Sequence, residues 1–232
     1  MTQKTAFSAV IPCGGKGARM GAGENKLFLP LLGKPCLWYT LRAMEDAEAV
    51  SEVVLSVREE EKARIEAICH DAGLQKKIRF VPGGITRQDS VKNGVYAAAH
   101  AYVLVHDGAR CLIRPEEINR VAQEAILFGA AAMGVFLKDT VKRVDEENII
   151  LETVPRENLV RIQTPQAFCK ADYLFAVAAA EREGYTGTDE CALLEKMGMR
   201  IHLTEGSEEN LKLTTPDDLR VAEGILQRRG EV

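Results

Sequence analysis

The sequence predicts an α/β protein with a Rossmann-like, open and mostly parallel sheet and helices on both of its faces. Short runs of β-branched residues alternate with longer segments of helical periodicity, which is typical of parallel strands joined by right-handed crossovers. The 232 residues are enough for one sizeable core without a metal or a disulfide. No repeat, low-complexity tract or linker interrupts the alternation. We therefore expect a single domain over residues 1–232.

The strands and helices of the first half can be placed in order along the chain. The predicted strands are Phe7–Ile11, Val53–Val57, Ile78–Val81, Tyr102–His106 and Ala130–Phe136. The helices between them are expected near Leu37–Met44, Glu60–Ala72, Gln88–Ala99 and Pro115–Phe128. In the second helix, Ile65, Ile68 and Ala72 follow the three-and-four spacing of a stripe that faces a core.

The alternation breaks after Phe136. Residues 138–154 form two stretches that alternate apolar and polar residues around a polar turn at Asp145–Asn148, as in a β-hairpin. Roughly half of this segment is charged, so it does not suit the centre of a sheet. We predict a projecting arm at about 138–154 that grips a second subunit and gives a homodimer. An edge hairpin folded back on its own domain is the alternative that the pattern leaves open.

The last third of the chain returns to α/β alternation. Val160–Thr164 and Arg200–Leu203 are predicted strands, and Lys170–Glu183 and Asp189–Met197 are predicted helices. A final helix follows Thr215, because a capping Thr, a Pro in the first turn and an Asp three residues after the cap form a helix start.

Charge and composition exclude several classes of protein. The chain has 30 Lys and Arg against 34 Asp and Glu, a formal net charge of −4, which argues against nucleic-acid binding. Uncharged, mostly apolar runs such as Gly129–Leu137 are too short to span a membrane. The six cysteines contain no Cys-x-x-Cys pair, so we expect no zinc site. Without a recognisable export signal, reduced thiols and a cytoplasmic location are expected.

The strongest functional signal is a glycine-rich loop after the first strand. Residues 12–21 read Pro-Cys-Gly-Gly-Lys-Gly-Ala-Arg-Met-Gly. The loop lacks the Ser or Thr that a P-loop has after Gly-Lys, and the third glycine of the dinucleotide fingerprint. What remains is three cations, Lys16, Arg19 and Lys26, at the carboxyl end of a strand, where open α/β sheets bind ligands. A triphosphate carries enough charge to need several of them.

A second signal is Asp107, which follows the fourth strand and is expected at the same edge of the sheet. There it could hold Mg²⁺ or sugar hydroxyls, and a turn Asp before a glycine is an equally good interpretation. His106 beside it is interpreted as structural. Weaker signals are Gly83–Gly84 with Ser90, the helix start at 187–190, and Lys212.

Taken in order, these motifs resemble the nucleotidyltransferases that activate sugar phosphates, and among them the 2-C-methyl-D-erythritol 4-phosphate cytidylyltransferase family. The resemblance extends from Ala6 to Leu226. Beyond the glycine loop, it rests on Asn-Lys at 25–26, Gly-Gly-x-x-Arg-x-x-Ser-Val at 83–91, Val-His-Asp-Gly-Ala-Arg at 105–110, Asp-Thr-Val-Lys at 139–142, Gln-Thr-Pro-Gln-x-Phe at 163–168, Thr-Asp-Glu at 188–190 and Lys-Leu-Thr at 212–214.

The resemblance implies transfer of CMP from CTP to a polyol phosphate, with Mg²⁺ and release of pyrophosphate. By it, Arg19 and Lys26 would hold the β- and γ-phosphates and Lys212 the α-phosphate. The implied CTP-binding residues are Cys13, Gly14, Gly15, Lys16, Gly17, Gly84, Ser90 and Asp107. The implied substrate-binding residues are Asp107, Arg110, Thr140, Arg156 and Thr188. Asp107 is also the implied metal ligand, while Thr140 and Arg156 would reach the acceptor phosphate in the partner subunit's site.

Two departures from the family pattern bear on specificity. Cys13-Gly14 stands where the family commonly has two alanines, and Ile85 replaces the usual acid after the glycine pair. If the side chain of that acid reads cytosine, base selectivity changes; if the backbone reads it, nothing changes.

Three rival functions remain at this stage. A relative that uses another polyol phosphate, such as ribitol 5-phosphate, would need the same phosphate contacts. An NAD(P) dehydrogenase is disfavoured by the failed fingerprint. A non-catalytic nucleotide sensor is disfavoured by the full set of cations together with Asp107.

Overall fold

The computed structural model describes residues 5–14 and 25–230. Its strands are β1 (Phe7–Pro12), β2 (Pro30–Leu31), β3 (Lys34–Pro35), β4 (Val50–Val57), β5 (Lys77–Pro82), β6 (Tyr102–Val105), β7 (Ala130–Phe136), β8 (Val141–Val144), β9 (Ile150–Val154), β10 (Val160–Cys169) and β11 (His202–Glu205). Seven of them form a central sheet in the order β11-β7-β10-β6-β1-β4-β5. In it, β10 runs antiparallel to both neighbours and the other pairings are parallel. The predicted mostly parallel sheet is confirmed.

Helices cover both faces of this sheet, as predicted. They are α1 (Cys36–Asp46), α2 (Glu59–Asp71), α3 (Arg87–Ala97), α4 (Pro115–Phe128), α5 (Lys170–Arg182), α6 (Glu190–Lys196) and α7 (Pro216–Arg229). Successive strand residues point to opposite faces. In β1, Ile11 therefore joins the core beneath α1, α2 and α4, while Val10 joins the core beneath α3, α5 and α6. A third apolar cluster lies under α7.

Strand β10 is longer than the sequence predicted. The prediction ended it at Thr164, the residue before Pro165. The strand instead continues to Cys169 between β6 and β7, with a register irregularity between Ile162 and Gln166 that accommodates Pro165. The short hairpin of β2 and β3 was also missed. The strand predicted at Arg200–Leu203 lies two residues further on, at His202–Glu205.

The predicted hairpin after β7 is present. Strands β8 and β9 pair antiparallel and form a sheet of their own. Almost every side chain between 138 and 159 is exposed, including the apolar Val144, Ile149, Ile150 and Leu151. Within the described residues the hairpin shares no strand pairing with the central sheet. It projects from the carboxyl edge, because β7 ends there and β10 begins there.

Two helix starts position groups that matter below. Before α3, Thr86 and Asp89 form a capping box, in which the Thr86 hydroxyl accepts from the Asp89 backbone N–H at 3.1 Å. Before α7, Thr215 and Asp218 form the capping box that the sequence predicted. None of the helices in residues 5–14 and 25–230 combines the length and apolar character needed to cross a bilayer.

Candidate active site

A cavity of about 330 Å³ opens at the carboxyl edge of the sheet, beside the ends of β1, β5 and β6. This is the edge at which open α/β sheets bind ligands. Within the part of the chain that the structure describes, five separate segments line it. Among the lining residues are six that the sequence analysis assigned to the site: Gly14, Lys26, Gly84, Ser90, Asp107 and Lys212.

One wall of the cavity is the loop between β5 and α3. The backbone N–H of Gly84 donates to Ser90 Oγ at 2.9 Å, and that hydroxyl donates to the Thr86 carbonyl at 3.0 Å. A Cβ on Gly84 would lie 2.1 Å from the Cβ of Asp89, so only glycine fits. The loop is thereby held close to the helix start, while the side chain of Ile85 is fully exposed at the cavity rim.

A second wall brings two cations together. Asn25 caps a short 3-10 turn at Lys26–Phe28, and its Nδ2 donates to the Cys13 carbonyl at 2.7 Å. This contact attaches the turn to the end of β1. Lys26 Nζ donates to the Leu213 carbonyl at 2.9 Å, next to Lys212 in the chain. Lysines from distant parts of the sequence therefore share one wall.

Asp107 is the carboxylate at the centre of the cavity. Its Oδ2 lies 2.7 Å from Lys212 Nζ and 3.9 Å from Arg110 Nε, and its Oδ1 lies 3.2 Å from Arg87 Nε. Burial alone would raise the pKa of Asp107, but Arg87, Lys212 and Arg110 hold it well below the usual range. Asp107 is thus ionised at neutral pH. It also forms a turn, since the Arg110 N–H donates to its carbonyl at 2.9 Å.

Arg87 and Glu190 belong to the same cluster, although the sequence analysis gave them no role. Glu190 is 1% exposed, and its two oxygens accept from Arg87 Nη1 and Nη2 at 2.7 and 3.0 Å. Although burial opposes its charge, the two carboxylates raise the pKa of Arg87. Both residues lie within quoted motifs, but they are 103 positions apart, so only the fold reveals the pair.

The donors present limit what kind of metal site this cavity can be. Within the described residues, no three His, Cys, Asp or Glu side chains are grouped so that they could hold a metal. Magnesium is usually bound by one or two carboxylates together with substrate phosphates and water. Asp107 is the one acidic residue among the described residues that line the cavity. This arrangement fits a metal that arrives with a triphosphate.

The remaining predicted residues lie elsewhere. The Cys13 side chain is fully buried, so only its backbone can face a ligand. Arg110 lies beside Asp107 and donates to the Asn210 carbonyl at 2.8 Å, outside the cavity lining. Thr188 is exposed in the loop before α6, and Thr140 and Arg156 are exposed on the hairpin segment; none of the three is among the residues that line the cavity. Gly15, Lys16, Gly17 and Arg19 lie outside the described residues.

His106 has a structural environment, as the sequence analysis interpreted it. Its ring is fully buried and lies within hydrogen-bonding distance of Thr164 Oγ1 and the Arg110 carbonyl, each at 3.1 Å. Burial lowers the pKa of His106 to about 4. The neutral ring therefore supports the loop that carries Asp107.

The cavity and the fold can now be compared with known proteins. A family model described as IspD, 2-C-methyl-D-erythritol 4-phosphate cytidylyltransferase, matches residues 7–228. The chain belongs to this family. The family's curated member from Bacillus cytotoxicus is 42% identical over 226 residues, covering 96% of this chain and 100% of the relative. The member from Thermosynechococcus vestitus is 42% identical over 224 residues, covering 96% of each chain.

Solved structures of family members have the same fold. The 4-diphosphocytidyl-2C-methyl-D-erythritol synthase of Anaerococcus prevotii superposes with a TM-score of 0.86 at 26% identity, covering 97% of both chains. The 2-C-methyl-D-erythritol 4-phosphate cytidylyltransferase of Thermus thermophilus gives 0.76 at 31% identity, covering 96% of this chain and 100% of the other. The family resemblance inferred from the sequence is confirmed.

Proposed function

We propose that the chain transfers CMP from CTP to 2-C-methyl-D-erythritol 4-phosphate in the non-mevalonate route to isoprenoid precursors. The products are 4-diphosphocytidyl-2-C-methyl-D-erythritol and pyrophosphate. The observation that carries this proposal is the convergence of Lys26, Lys212 and Asp107 on one cavity, in a chain of this family. Cations and a carboxylate suit a reaction that needs positioning and charge neutralisation more than a covalent nucleophile.

The reaction forms one bond and breaks one at the α-phosphorus of CTP. An oxygen of the acceptor phosphate attacks in line, and the bond to the bridging oxygen breaks, so its electron pair leaves with pyrophosphate. Lys212 neutralises charge at the α-phosphate, while Lys26 and Arg19 bind the leaving pyrophosphate. Since Lys212 is paired with Asp107 at 2.7 Å, it exchanges the carboxylate for the phosphate when CTP binds, which releases one oxygen of Asp107.

Asp107 would hold Mg²⁺ together with the phosphates. A bound Mg²⁺ supplies positive charge to the triphosphate. The cytosine would lie against Gly14, Gly84 and Ser90 with the backbone of Cys13, and Gly15, Lys16 and Gly17 would continue the nucleotide site. Because the Ile85 side chain points into solvent, backbone groups of this wall are proposed to read the base.

The acceptor would be bound by two subunits. Arg110, whose Nε lies 3.9 Å from Asp107 Oδ2, and Thr188, exposed in the loop before α6, are assigned to the acceptor. Thr140 and Arg156 are exposed on the hairpin segment, and they would reach the acceptor phosphate in the partner's site. The exposed apolar residues of the hairpin support a homodimer in which a second copy covers them. The proposed location of this dimer is the cytoplasm.

The function is tested by pyrophosphate release with CTP and a panel of polyol phosphates. We expect turnover with 2-C-methyl-D-erythritol 4-phosphate to exceed turnover with ribitol 5-phosphate. Activity should disappear in EDTA and return with Mg²⁺. A preference for ribitol 5-phosphate, or release that EDTA leaves unchanged, would contradict the acceptor or the metal assignment respectively.

The shared site is tested by mixing two inactive variants, Arg156→Ala and Lys26→Ala. Each heterodimer would contain one intact site, built from Lys26 of one chain and Arg156 of the other. With random subunit exchange, about a quarter of the wild-type activity should return. If exchange is confirmed by differential labelling and no activity returns, Arg156 does not act in the partner's site.

A further inference from the structure

Glu190 is a buried carboxylate that the proposed reaction does not use. A buried carboxylate is costly unless it is paired and hydrogen-bonded. Glu190 meets this condition through Arg87, which donates to both of its oxygens in a bidentate fork. The pair joins the first residue of α3 to the first residue of α6.

The two hydrogen bonds between Arg87 and Glu190 also fix the orientation of the Arg87 guanidinium. A guanidinium is planar and rigid, so two donors held on Glu190 determine where the third donor points. That third donor is Arg87 Nε, which lies 3.2 Å from Asp107 Oδ1. Lys212 holds the other oxygen of Asp107 at 2.7 Å. The Asp107 carboxylate is therefore oriented from both sides, at Oδ1 by Arg87 and at Oδ2 by Lys212.

The two contacts to the Asp107 carboxylate, from Lys212 and from Arg87, differ in how easily they can be broken. Lys212 is 37% exposed and is expected to exchange Asp107 for a phosphate. Arg87 cannot leave without stranding the charge of Glu190, which is almost fully buried. When a nucleotide draws Lys212 away, Arg87 still donates a hydrogen bond that holds the Asp107 carboxylate in place.

Resting on the proposed function, we infer that Glu190 and Arg87 are positioning residues, and that Glu190 acts through Arg87 to orient Asp107 during nucleotidyl transfer. Neither needs to contact the reacting atoms. The alternative is an ion pair that only fastens α3 to α6, and it predicts a loss of stability without a selective loss of turnover.

The test is a double-mutant cycle on kcat with the full-length chain, CTP and 2-C-methyl-D-erythritol 4-phosphate. Glu190→Gln keeps the size of the side chain but removes its charge, so the fork on Arg87 is lost. We expect kcat to fall about 10- to 100-fold, the range that misplacement of a reacting group by about 1 Å can cause, with the KM for CTP nearly unchanged. Combined with Asp107→Asn, Glu190→Gln should reduce kcat no further. The effects of substitutions are not additive when the residues act through the same series of contacts.

A matched control is Glu52→Gln. Glu52 is also 1% exposed and also paired with an arginine, Arg79, at 3.3 Å, but it lies at the opposite edge of the sheet. The Glu52→Gln variant should lose thermal stability and keep the kcat of the wild type. If the losses from Glu190→Gln and Asp107→Asn multiply in the double variant, or if Glu190→Asp, which retains the charge, is no better than Glu190→Gln, the positioning role is overturned.

A structural measurement separates this inference from the proposed function. In crystals of Glu190→Gln, the contact between Arg87 Nε and Asp107 Oδ1 should lengthen or break. An unchanged contact would contradict the inference even if the wild-type enzyme is active. A wild-type protein that releases no pyrophosphate would contradict the proposed function, and the crystal comparison would still decide whether Glu190 orients Asp107.

Discussion

Glu52 lies near the amino end of β4 and Asp107 follows the carboxyl end of β6, and both carboxylates are almost fully buried. Glu52 accepts from the Ala99 backbone N–H at 2.8 Å, from Ser8 Oγ at 2.7 Å and from Arg79 at 3.3 Å. The Asp107 carboxylate is held by the ends of long cationic side chains. A backbone donor cannot move away, whereas a lysine can exchange one anion for another. The partners of a buried carboxylate, more than its burial, therefore distinguish a structural group from one that is available to a ligand.

The largest difference in activity is expected between variants of the lysines at the two edges of the sheet. Lys26→Ala should reduce kcat about 10²- to 10³-fold, because one cation that meets charge on the leaving pyrophosphate is lost. Lys76, near the amino edge, also donates to backbone carbonyls, those of Met44 and Ala47 at 2.8 and 2.6 Å. Lys76→Ala is therefore the matched control, and steady-state kinetics should show an unchanged kcat. Equal losses of kcat in both variants would show that the loss does not depend on the position of the lysine at the cavity.

The carboxylates themselves give the next test. Asp107→Asn should lower kcat about 100-fold in protein that is still folded, the scale of one lost electrostatic contact in the transition state. Glu52→Gln should leave kcat unchanged and lower the free energy of unfolding by about 1–3 kcal/mol. The reason is that the buried donors around Glu52 lose a carboxylate acceptor. Denaturant unfolding and kinetics of both variants check this. An active Asp107→Asn would leave Asp107 as a turn residue only.

A smaller effect should come from His106 at the carboxyl edge, through pH. Burial lowers its pKa from 6.5 to about 4, so the unfolded chain binds a proton that the folded chain refuses. Stability therefore falls as the pH falls, by about 2 kcal/mol between about pH 7 and about pH 5. In His106→Gln, unfolding measured across this range should show a correspondingly flatter profile. The same slope in the variant and the wild type would assign the loss to other groups.

Several features of the fold and the site could be predicted from local patterns. The spacing in α2 predicted its core-facing side, and the glycine loop after the first strand and the acid directly after the fourth placed Lys26 and Asp107 at one edge. The pairing of Arg87 with Glu190 could not be predicted, because it depends on how two distant helix starts meet in space. The full length of β10 was missed because proline cannot donate to a strand ladder, and the register irregularity that accommodates Pro165 is visible only in the structure. Which site Thr140 and Arg156 serve depends on a second copy of the chain.

The reversed direction of β10 has a consequence for how this fold can vary. Because β7 ends and β10 begins at the same edge, the chain between them needs no crossover helix, and it forms a hairpin whose two ends stay at the carboxyl edge of the sheet. Residues added or removed at the tip, around Asp145–Asn148, leave the register of the central sheet unchanged, and lengthening such a loop costs little closure entropy. The reach of the arm can therefore drift during evolution, or be redesigned, while the body of the enzyme stays the same.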